Sequence, residues 1–392
     1  MSEWKKVKLG EVSQYVNDKV AITATNESYY VSTDSMLKYR GGIIAPESIP
    51  SDGNVTKYQS DDILVSNIRP YFKKIWYSCR EGGCSNDVLV FRAIEGVTSR
   101  FLYYILSGDT FFEHMMAGAN GTKMPRGNKK LILNYSFELP SLTIQHRIAT
   151  ILSRYDSLIE NYQKQIKLLE EAAQRLYKEW FVDLHFPGHE NTKIVDGVPE
   201  GWEKKMIGEV CDTTSGGTPS RSKTEFYTGN IPWVKTKELN DDFIFDTEER
   251  ITDDAIRKSS AKLIPSGSIL MAMYGATIGK LGIATKELSC NQACCVFLLS
   301  EDNVLRFYLY SWLLDNRTLL ISMGKGAAQP NLSQDMIKKL EIVIPSLHLL
   351  SIFDSKVKSI YKKIYYLSSQ IRLLTEARDR LLPKLMSGEI AV

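Results

Sequence analysis

The sequence predicts an α+β protein in which two mixed α/β domains stand in tandem and each is followed by a long helix. Three observations support this: an internal repeat, strand-like segments of alternating hydrophobicity in both copies, and two extended heptad patterns. With 392 residues, the chain has the length of two or three ordinary domains. The two helices are expected to pair as an antiparallel coiled coil about a pseudo-twofold axis.

Landmarks of the first half recur in the same order in the second half, which predicts a duplication. The matched pairs are Trp4 with Trp202, Gly10 with Gly208, Asn86 with Asn291, Pro125 with Pro330 and Pro140 with Pro345. Phe101–Met116 and Phe307–Met323 are matching amphipathic segments, and each is predicted to form one helix. The middles of the copies, residues 18–60 and 216–262, are least alike, so they are where the copies should differ in what they contact.

An uninterrupted amphipathic stretch follows each domain. No glycine or proline occurs between Thr143 and Pro187, and apolar residues recur at alternating spacings of three and four, the a/d seam of a coiled coil. The second copy repeats this pattern with one break, at Arg378, and each helix is expected to be ~57 Å long. Two separate core helices, one per domain, are the alternative. The predicted seam residues are Leu152, Ile159, Ile166, Leu169, Leu176, Ile360, Ile364, Ile371, Leu374 and Leu381.

Composition limits the class of protein but does not indicate a binding partner. The formal net charge of +3 is small, so any basic surface must be local. Six cysteines in 392 residues do not form a disulfide scaffold. The N-terminal residues lack the apolar run of a signal peptide, and the longest uncharged stretch, Leu288–Ser300, is too short to span a membrane. The expected location is the cytoplasm.

Motifs that suggest catalysis or metal binding have the wrong spacing. The segment Gly275 to Lys280 has one residue fewer between its two glycines than a phosphate-binding loop requires. It is interpreted as a turn after a strand. The cysteines from Cys290 to Cys295 lie in an apolar run and are interpreted as buried thiols rather than a zinc site. His185 and His189 bracket a turn and are interpreted as a chance pair. No catalytic residue, metal ligand or cofactor is predicted.

Basic loops containing amide, hydroxyl or aromatic side chains occur at matching places in both copies. Such loops suit phosphate contacts and hydrogen bonds to base edges, although any one of them alone could be a solvated surface. In the first copy the candidate DNA-binding residues are Arg69, Lys73, Lys74, Asn120, Lys123, Arg126, Asn128, Lys129 and Lys130. In the second copy they are Thr218, Ser220, Arg221, Lys223, Lys235, Lys237, Tyr274, Lys325, Gln329 and Asn331.

Several segments together form a distinctive pattern: the closing segment Ala377–Ile390, the Trp180–Asp183 segment, and Gly216–Ser220, Ile231–Val234, Gly267–Leu270, Gly275–Gly279 and Gln329–Leu332. On these segments the chain resembles, over essentially its full length, the specificity subunits of type I restriction–modification enzymes. The closing segment is the most distinctive piece, and Trp180–Asp183 is similar to the family's central junction. The first copy departs from the family pattern, since it lacks the Gly-Gly-Thr-Pro-Ser loop and the Ile-Pro-Trp run.

The resemblance implies two target-recognition domains, residues 1–142 and 187–345, each reading half of a bipartite DNA site. The long helices, residues 143–186 and 346–392, would serve as a ruler for the gap. Two DNA methyltransferase subunits would dock on this scaffold, motor–nuclease subunits would join, and all catalysis, S-adenosylmethionine binding and ATP use would lie in those partners. The alternative is a coiled-coil scaffold or interaction protein without DNA specificity.

Overall fold

The chain folds into two compact units, each of which contains part of both long helices. The computed structural model describes residues 4–324 and 331–392. Unit 1 comprises residues 1–159 and 373–392, and unit 2 comprises residues 160–372. The predicted α+β class, with a long helix after each mixed domain, is confirmed.

Unit 1 is built on a four-stranded antiparallel sheet with the strand order β2-β8-β5-β6, accompanied by a smaller sheet β3-β4-β7 and the pair β1-β9. The strands are β1 Lys5–Lys8, β2 Ser13–Tyr15, β3 Lys19–Ala21, β4 Asn54–Tyr58, β5 Ile63–Ser66, β6 Ile75–Tyr77, β7 Gly82–Cys84, β8 Val88–Ala93 and β9 Ser136–Leu139. The helices that begin in this unit are α1 Leu9–Val12, α2 Ser99–Ser107, α3 Asp109–Ala117, α4 Lys129–Ile132 and α5 Leu142–Tyr177.

Unit 2 repeats this plan with a five-stranded sheet in the order β13-β20-β17-β18-β15, a three-stranded sheet β16-β14-β19, and the pairs β12-β21 and β10-β11. The strands are β10 Ile194–Val195, β11 Val198–Pro199, β12 Glu203–Met206, β13 Thr213–Ser215, β14 Ile231–Val234, β15 Asp242–Ile244, β16 Glu249–Ile251, β17 Ile269–Ala272, β18 Leu281–Ala284, β19 Ser289–Cys290, β20 Cys294–Phe297 and β21 Glu341–Ile344. The helices are α6 Ile207–Val210, α7 Asp253–Arg257, α8 Arg306–Asp315, α9 Arg317–Met323, α10 Gln334–Lys338 and α11 Leu347–Met386.

The duplication is therefore visible in the strand order. The order β2-β8-β5-β6 of unit 1 recurs as β13-β20-β17-β18 in unit 2, where β15 is added parallel to β18. The prediction of one helix over Phe101–Met116 and one over Phe307–Met323 is wrong, since each segment forms two helices. In unit 1 the break falls at Gly108, whose extended backbone (ψ 148°) ends α2 and begins α3. In unit 2 it falls at Asn316, whose side-chain amide donates to the Trp312 carbonyl.

The long helices complete the cores of both units. In unit 1, Leu152 of α5 belongs to the same buried cluster as Leu385 of α11. In unit 2, Ala173 of α5 belongs to the same buried cluster as Val357 of α11. Within each unit the beginning of one helix thus meets the end of the other, as in antiparallel helices. Every predicted seam residue is buried or half-buried. Among the described residues, no helix combines the length and hydropathy required to cross a bilayer.

A largely buried ion pair occupies the break in the heptad pattern. Arg378 is 13% exposed, and its guanidinium lies 2.9 Å from the carboxylate of Asp156, which is 16% exposed. Asp156 also accepts a hydrogen bond of 2.6 Å from the Tyr104 hydroxyl. Burial raises the pKa of Tyr104, so this hydroxyl stays a proton donor. The single polar residue in the α11 seam therefore has charged and hydrogen-bonded neighbours within unit 1.

A cavity of about 390 Å³ with an acidic lining lies beside α5 in unit 2. Glu170 of α5 faces Asp241 and Asp242, which precede and begin β15. Burial and the negative charges of Asp242 and Asp241 together raise the pKa of Glu170 to about 7. Tyr310 closes one wall and donates a hydrogen bond of 2.7 Å to the Asp241 carbonyl. The cavity therefore disfavours the ionised form of Glu170.

Replacing Arg378 by leucine should destabilise unit 1 by roughly 3 kcal/mol, because it leaves the largely buried Asp156 carboxylate without its cation. The double variant Asp156→Leu/Arg378→Leu should recover most of that loss, since an apolar pair needs no charge partner. Urea denaturation of the three proteins measures both effects. A double variant as unstable as Arg378→Leu would show that the ion pair itself, and not the unpaired charge, determines stability here.

The folded state holds the Glu170 proton more tightly than the unfolded chain, so this carboxyl destabilises unit 2 increasingly as pH rises from about 4.5 towards about 7. Glu170→Gln should therefore raise the Tm at pH 8 and change it little at pH 5. Thermal melts at the two pH values test this. The control is Glu160→Gln, at a position of α5 outside the acidic cavity, which should shift the Tm equally at both. A pH-independent effect of Glu170→Gln would contradict the assignment.

Candidate nucleic-acid interface

Two loops that carry predicted DNA-binding residues meet in unit 1. The loop after β5 and the loop before α4 form an isolated antiparallel bridge between Ile68 and Arg126. The Arg69 amide donates a hydrogen bond of 2.8 Å to the Pro125 carbonyl. Asn120 and Arg126 exchange two backbone hydrogen bonds of 2.9 Å, which close the second loop on itself. Segments that the sequence places far apart thus form one loop junction at the end of the core sheet.

The same junction occurs in unit 2. There the loop after β17 bridges to the chain before α10 through Tyr274 and Asn331. The Leu332 amide donates to the Met273 carbonyl at 2.8 Å, and the Asn331 amide donates to the Gly324 carbonyl at 3.1 Å. The structure therefore brings Tyr274 and Asn331 together, as it does the corresponding residues of unit 1. Lys325 and Gln329 lie outside the described residues.

The two copies differ in the residues that adopt a left-handed backbone conformation in the loop after β5 in unit 1 and after β17 in unit 2. In unit 2 these positions are glycines, Gly275 (φ 82°) and Gly279 (φ 77°). In unit 1 the matching positions are Arg69 and Lys73, both with φ 50°. A side chain in this region is sterically unfavourable, whereas glycine adopts it freely. Unit 1 thus keeps a strained backbone and gains two cations in its loop junction.

Two buried polar atoms in the unit 1 junction are unpartnered. Asn67 is 7% exposed, and its Oδ1 has no hydrogen-bond partner among the described residues. The same holds for Nε of Arg69 in that part of the chain. Gly127 lies directly against this site, because a Cβ there would stand 2.8 Å from Asn67 Oδ1. Asn67 was not among the predicted contacts, since its burial beside Gly127 depends on the meeting of two distant loops.

The predicted contacts of unit 1 fall into two groups. Lys123, Lys129 and Lys130 are exposed and form no ion pair among the residues that the structure describes. The side chains of four others already have partners within the unit, whereas Arg69 forms no ion pair among the described residues. Arg126 pairs with Asp87 at 3.1 Å, Lys73 pairs with Asp109 at 2.8 Å, Lys74 donates to the Thr33 carbonyl at 2.6 Å, and Asn128 caps α4 by accepting from the Lys130 and Leu131 amides. Burial lowers the pKa of Lys74, which fits an internal role.

The predicted cations of unit 2 form a mixed charge cluster with two glutamates. Lys235 lies 2.7 Å from Glu249 and 3.1 Å from Glu248. Arg221 pairs with Glu249 at 2.5 Å, and Lys237 pairs with Glu248 at 2.7 Å. Hydrogen bonding to Arg221 lowers the pKa of Glu249, and hydrogen bonding to Lys237 lowers that of Glu248. Three cations thus share two carboxylates, and DNA phosphates would have to compete with these pairs.

The Gly-Gly-Thr-Pro-Ser loop of unit 2 has a packing role. A Cβ on Gly216 would lie 2.1 Å from the Cys290 carbonyl oxygen, so no side chain fits there. The neighbouring Gly217 carbonyl accepts a hydrogen bond of 3.0 Å from the Trp233 indole. Arg221 then stacks over Trp233, with 5.1 Å to the ring centroid. Close backbone contact with β19 and the hydrogen bond from the Trp233 side chain of β14 therefore position the polar residues that follow the glycines.

The remaining polar candidates of this loop have local contacts. The Thr218 hydroxyl donates to the Gln292 side chain, and the Ser220 and Ser222 hydroxyls lie 2.8 Å apart. The Lys223 ammonium lies over the Phe226 ring, 5.1 Å from its centroid. These contacts hold the loop in one conformation.

The motifs interpreted as structural lie in buried or turn positions. Cys290, Cys294 and Cys295 are fully buried, and burial raises the pKa of the Cys295 thiol to about 12. The rings of His185 and His189 lie 5.5 Å apart, and His189 Nδ1 is hydrogen-bonded to the Phe186 carbonyl. Over residues 4–324 and 331–392, no group of three or more His, Cys, Asp or Glu side chains could hold a metal ion.

Comparisons with known proteins agree with this duplicated architecture. The family model for the type I restriction modification DNA specificity domain matches residues 1–171 and 199–377. The type I restriction enzyme MjaIX specificity subunit of Methanocaldococcus jannaschii is 30% identical over 304 residues, which cover 76% of this chain and 70% of that protein. The HindI specificity subunit of Haemophilus influenzae is 25% identical over the full length of both chains.

The fold is also found in a solved structure. The crystal structure of the type I restriction–modification S subunit from M. genitalium covers 98% of this chain and 96% of its own, with a TM-score of 0.59 and 16% identity. At that identity the likeness concerns the fold alone, and it extends over both units. The two domains matched by the family model, with the 30% identity to the MjaIX subunit, show that the chain belongs to the family of type I restriction–modification DNA specificity subunits.

Proposed function

We propose that this chain reads a bipartite DNA sequence and directs the catalytic subunits of a type I restriction–modification enzyme to it. The observation that carries the proposal is the loop junction that recurs in both units, at Ile68–Arg126 and at Tyr274–Asn331. The unit 1 junction carries the cations Arg69 and Arg126, and the unit 2 junction carries the amide side chain of Asn331; such side chains bind phosphates and base edges. Two such junctions on one chain fit two half-sites of one target.

The division of each unit into a shared and a variable part supports independent reading of the half-sites. The core sheets share their strand order, whereas the smaller sheets differ: β4 is central in unit 1, and β14 is central in unit 2 with one parallel and one antiparallel neighbour. These smaller sheets are formed largely by residues 18–60 and 216–262, the least similar parts of the sequence. Specificity within each half-site should therefore come from these regions and the loops beside them.

Catalysis belongs to partner subunits in this proposal. Two DNA methyltransferase subunits would dock on the scaffold formed by α5 and α11, and restriction subunits that combine a motor and a nuclease would join them. The apolar residues beside the end of α5, Trp180 and Phe181, pack into the unit 2 core, so the exposed flanks of the helices are the surface left for docking. The chain itself would serve as a non-catalytic specificity subunit.

Removing two lysines from the loop before α4 should weaken binding to all DNA sequences alike. Lys123→Ala/Lys130→Ala is expected to reduce the slope of log K against log salt by ~1.8, since each lost phosphate contact contributes ~0.9. Binding of the complex with its methyltransferase to duplex DNA at several salt concentrations measures the slope. Lys193→Ala/Lys204→Ala, at exposed positions outside the loop junctions and the long helices, is the matched control and should leave it unchanged. An unaltered slope in the loop variant would place this loop away from DNA.

Exchanging residues 1–142 for the same domain of a relative should change one half of the methylated motif and leave the other half and the gap unchanged. The physical reason is that each unit has its own core sheet and loop junction. Mapping methylated bases in genomic DNA reads both halves at once, and exchange of residues 187–345 is the reciprocal control. If one exchange altered both half-sites while the protein stayed folded, independent reading would be wrong.

A further inference from the structure

A strained hairpin packs against the loop junction of unit 1. Residues 36–43 form this hairpin, with an isolated bridge between Met36 and Ile43. At its tip the Gly41 amide donates to the Lys38 carbonyl at 3.1 Å, and the two central residues, Tyr39 and Arg40, have φ values of 56° and 64°. This is the geometry of a type I′ turn, which normally has Asn-Gly at its centre because both residues are left-handed. Here a tyrosine and an arginine occupy those positions.

The hairpin is fixed to the loop after β5 and to the helices behind it. The Tyr39 amide donates to the Phe72 carbonyl at 2.8 Å, and the Arg40 amide donates to the Lys73 carbonyl at 3.0 Å. The Arg40 side chain turns inward, where its Nε donates to the Ser107 carbonyl at 2.5 Å and its guanidinium pairs with Asp109. These contacts explain why an arginine is present despite its unfavourable backbone. They also hold the tip in one position.

No comparable contact explains the tyrosine. The Tyr39 side chain is 66% exposed, the highest exposure of any large aromatic residue in the described part of the chain. Glycine or asparagine would adopt this backbone with less strain and would expose less apolar surface. Most of the surface of this bulky aromatic residue is uncovered at a strained turn position, so its side chain is available to a partner.

The charge around Tyr39 identifies that partner. Lys38 lies over the Phe72 ring at 4.2 Å, and the same short loop carries Arg69. Neither cation forms an ion pair among the described residues, whereas the neighbouring Lys73 is paired with Asp109. Tyr71, 44% exposed, adds a second aromatic surface to this loop. Aromatic rings set among cations suit nucleic acid, because the cations bind phosphates while the ring contacts a base. An acidic protein surface would satisfy the cations but would not require the ring.

We propose that Tyr39 is a specificity-determining residue of unit 1, which contacts a base of one half-site from the tip of the 36–43 hairpin. This proposal rests on the proposed function and names a residue of the same interface. From a groove of the duplex the ring contacts the exposed edge of the base, and the hydroxyl is free to hydrogen-bond to that edge. The strained turn and the inward Arg40 anchor keep the ring in place before DNA arrives, so little conformational freedom is lost on binding.

The test uses Tyr39→Gly in the full chain, assembled with its methyltransferase partner. The probes are a duplex carrying the motif found by mapping methylated bases and a second duplex with that half-site scrambled. Because glycine relieves the strain, the variant should melt at the same temperature as the wild type or higher. Its affinity for the motif should fall by about tenfold or more, and its affinity for the scrambled duplex should change less than about twofold. Tyr39→Phe, which keeps the ring, should retain more affinity than Tyr39→Gly.

The control is Asp196→Gly in the β10–β11 hairpin, where an exposed aspartate also has a left-handed backbone (φ 51°). This variant relieves the same kind of strain and should bind both duplexes like the wild type. Equal losses of Tyr39→Gly on both duplexes, unchanged affinity, or a lower melting temperature would each overturn the assignment of Tyr39. A wild-type complex that failed to distinguish the two duplexes would instead overturn the proposed function, and the Tyr39 assignment with it.

Discussion

The structure depends on the burial of the apolar faces of α5 and α11, because neither unit completes its core without both helices. The buried apolar cluster of unit 1 contains Leu382 and Leu385. These two residues come from α11, at the opposite end of the chain from residues 1–159, which form the rest of the unit. Gly388 lies against the Trp4 ring, where a Cβ would stand 3.3 Å from ring carbons. The first and last segments of the chain thus stabilise the same unit. A reading domain in this protein cannot be separated from the helices that serve as scaffold.

This constraint also explains which parts of the fold were predictable from sequence. The heptad pattern predicted the long helices because apolar periodicity is a local property, and the repeated landmarks predicted two copies for the same reason. The break at Arg378 was visible, but its partner Asp156 was not, since 222 residues separate them. The division of Phe101–Met116 into two helices was missed because the amphipathic pattern continues across Gly108, where only the backbone direction changes.

The candidate interface was predictable in composition but not in arrangement. Counting cations along the chain identified the loops near Arg69 and Arg126, yet nothing in the sequence shows that these residues flank one junction. The same counting treated Lys235 as a free cation. In the fold it faces Glu248 and Glu249 from the neighbouring strand, which lie 13 and 14 residues further along the chain. Local charge density therefore overstates the number of cations free for phosphates, because strand pairing brings distant carboxylates to them.

The two junctions show how one backbone can serve two different targets. The left-handed positions at residues 275 and 279 are glycines in unit 2, so its loop presents mainly backbone there. Unit 1 places Arg69 and Lys73 at the matching positions and accepts the strain. Strain of this kind, of order 1 kcal/mol or more per residue, persists only where the surrounding structure holds it. The hydrogen bonds from the 36–43 hairpin to this loop provide that support, and unit 2 needs no such brace because its glycines are relaxed. Under the proposed function, charge in one junction and close backbone approach in the other are two ways to meet DNA, which would let a duplicated fold recognise two unlike half-sites without any change in its core sheet.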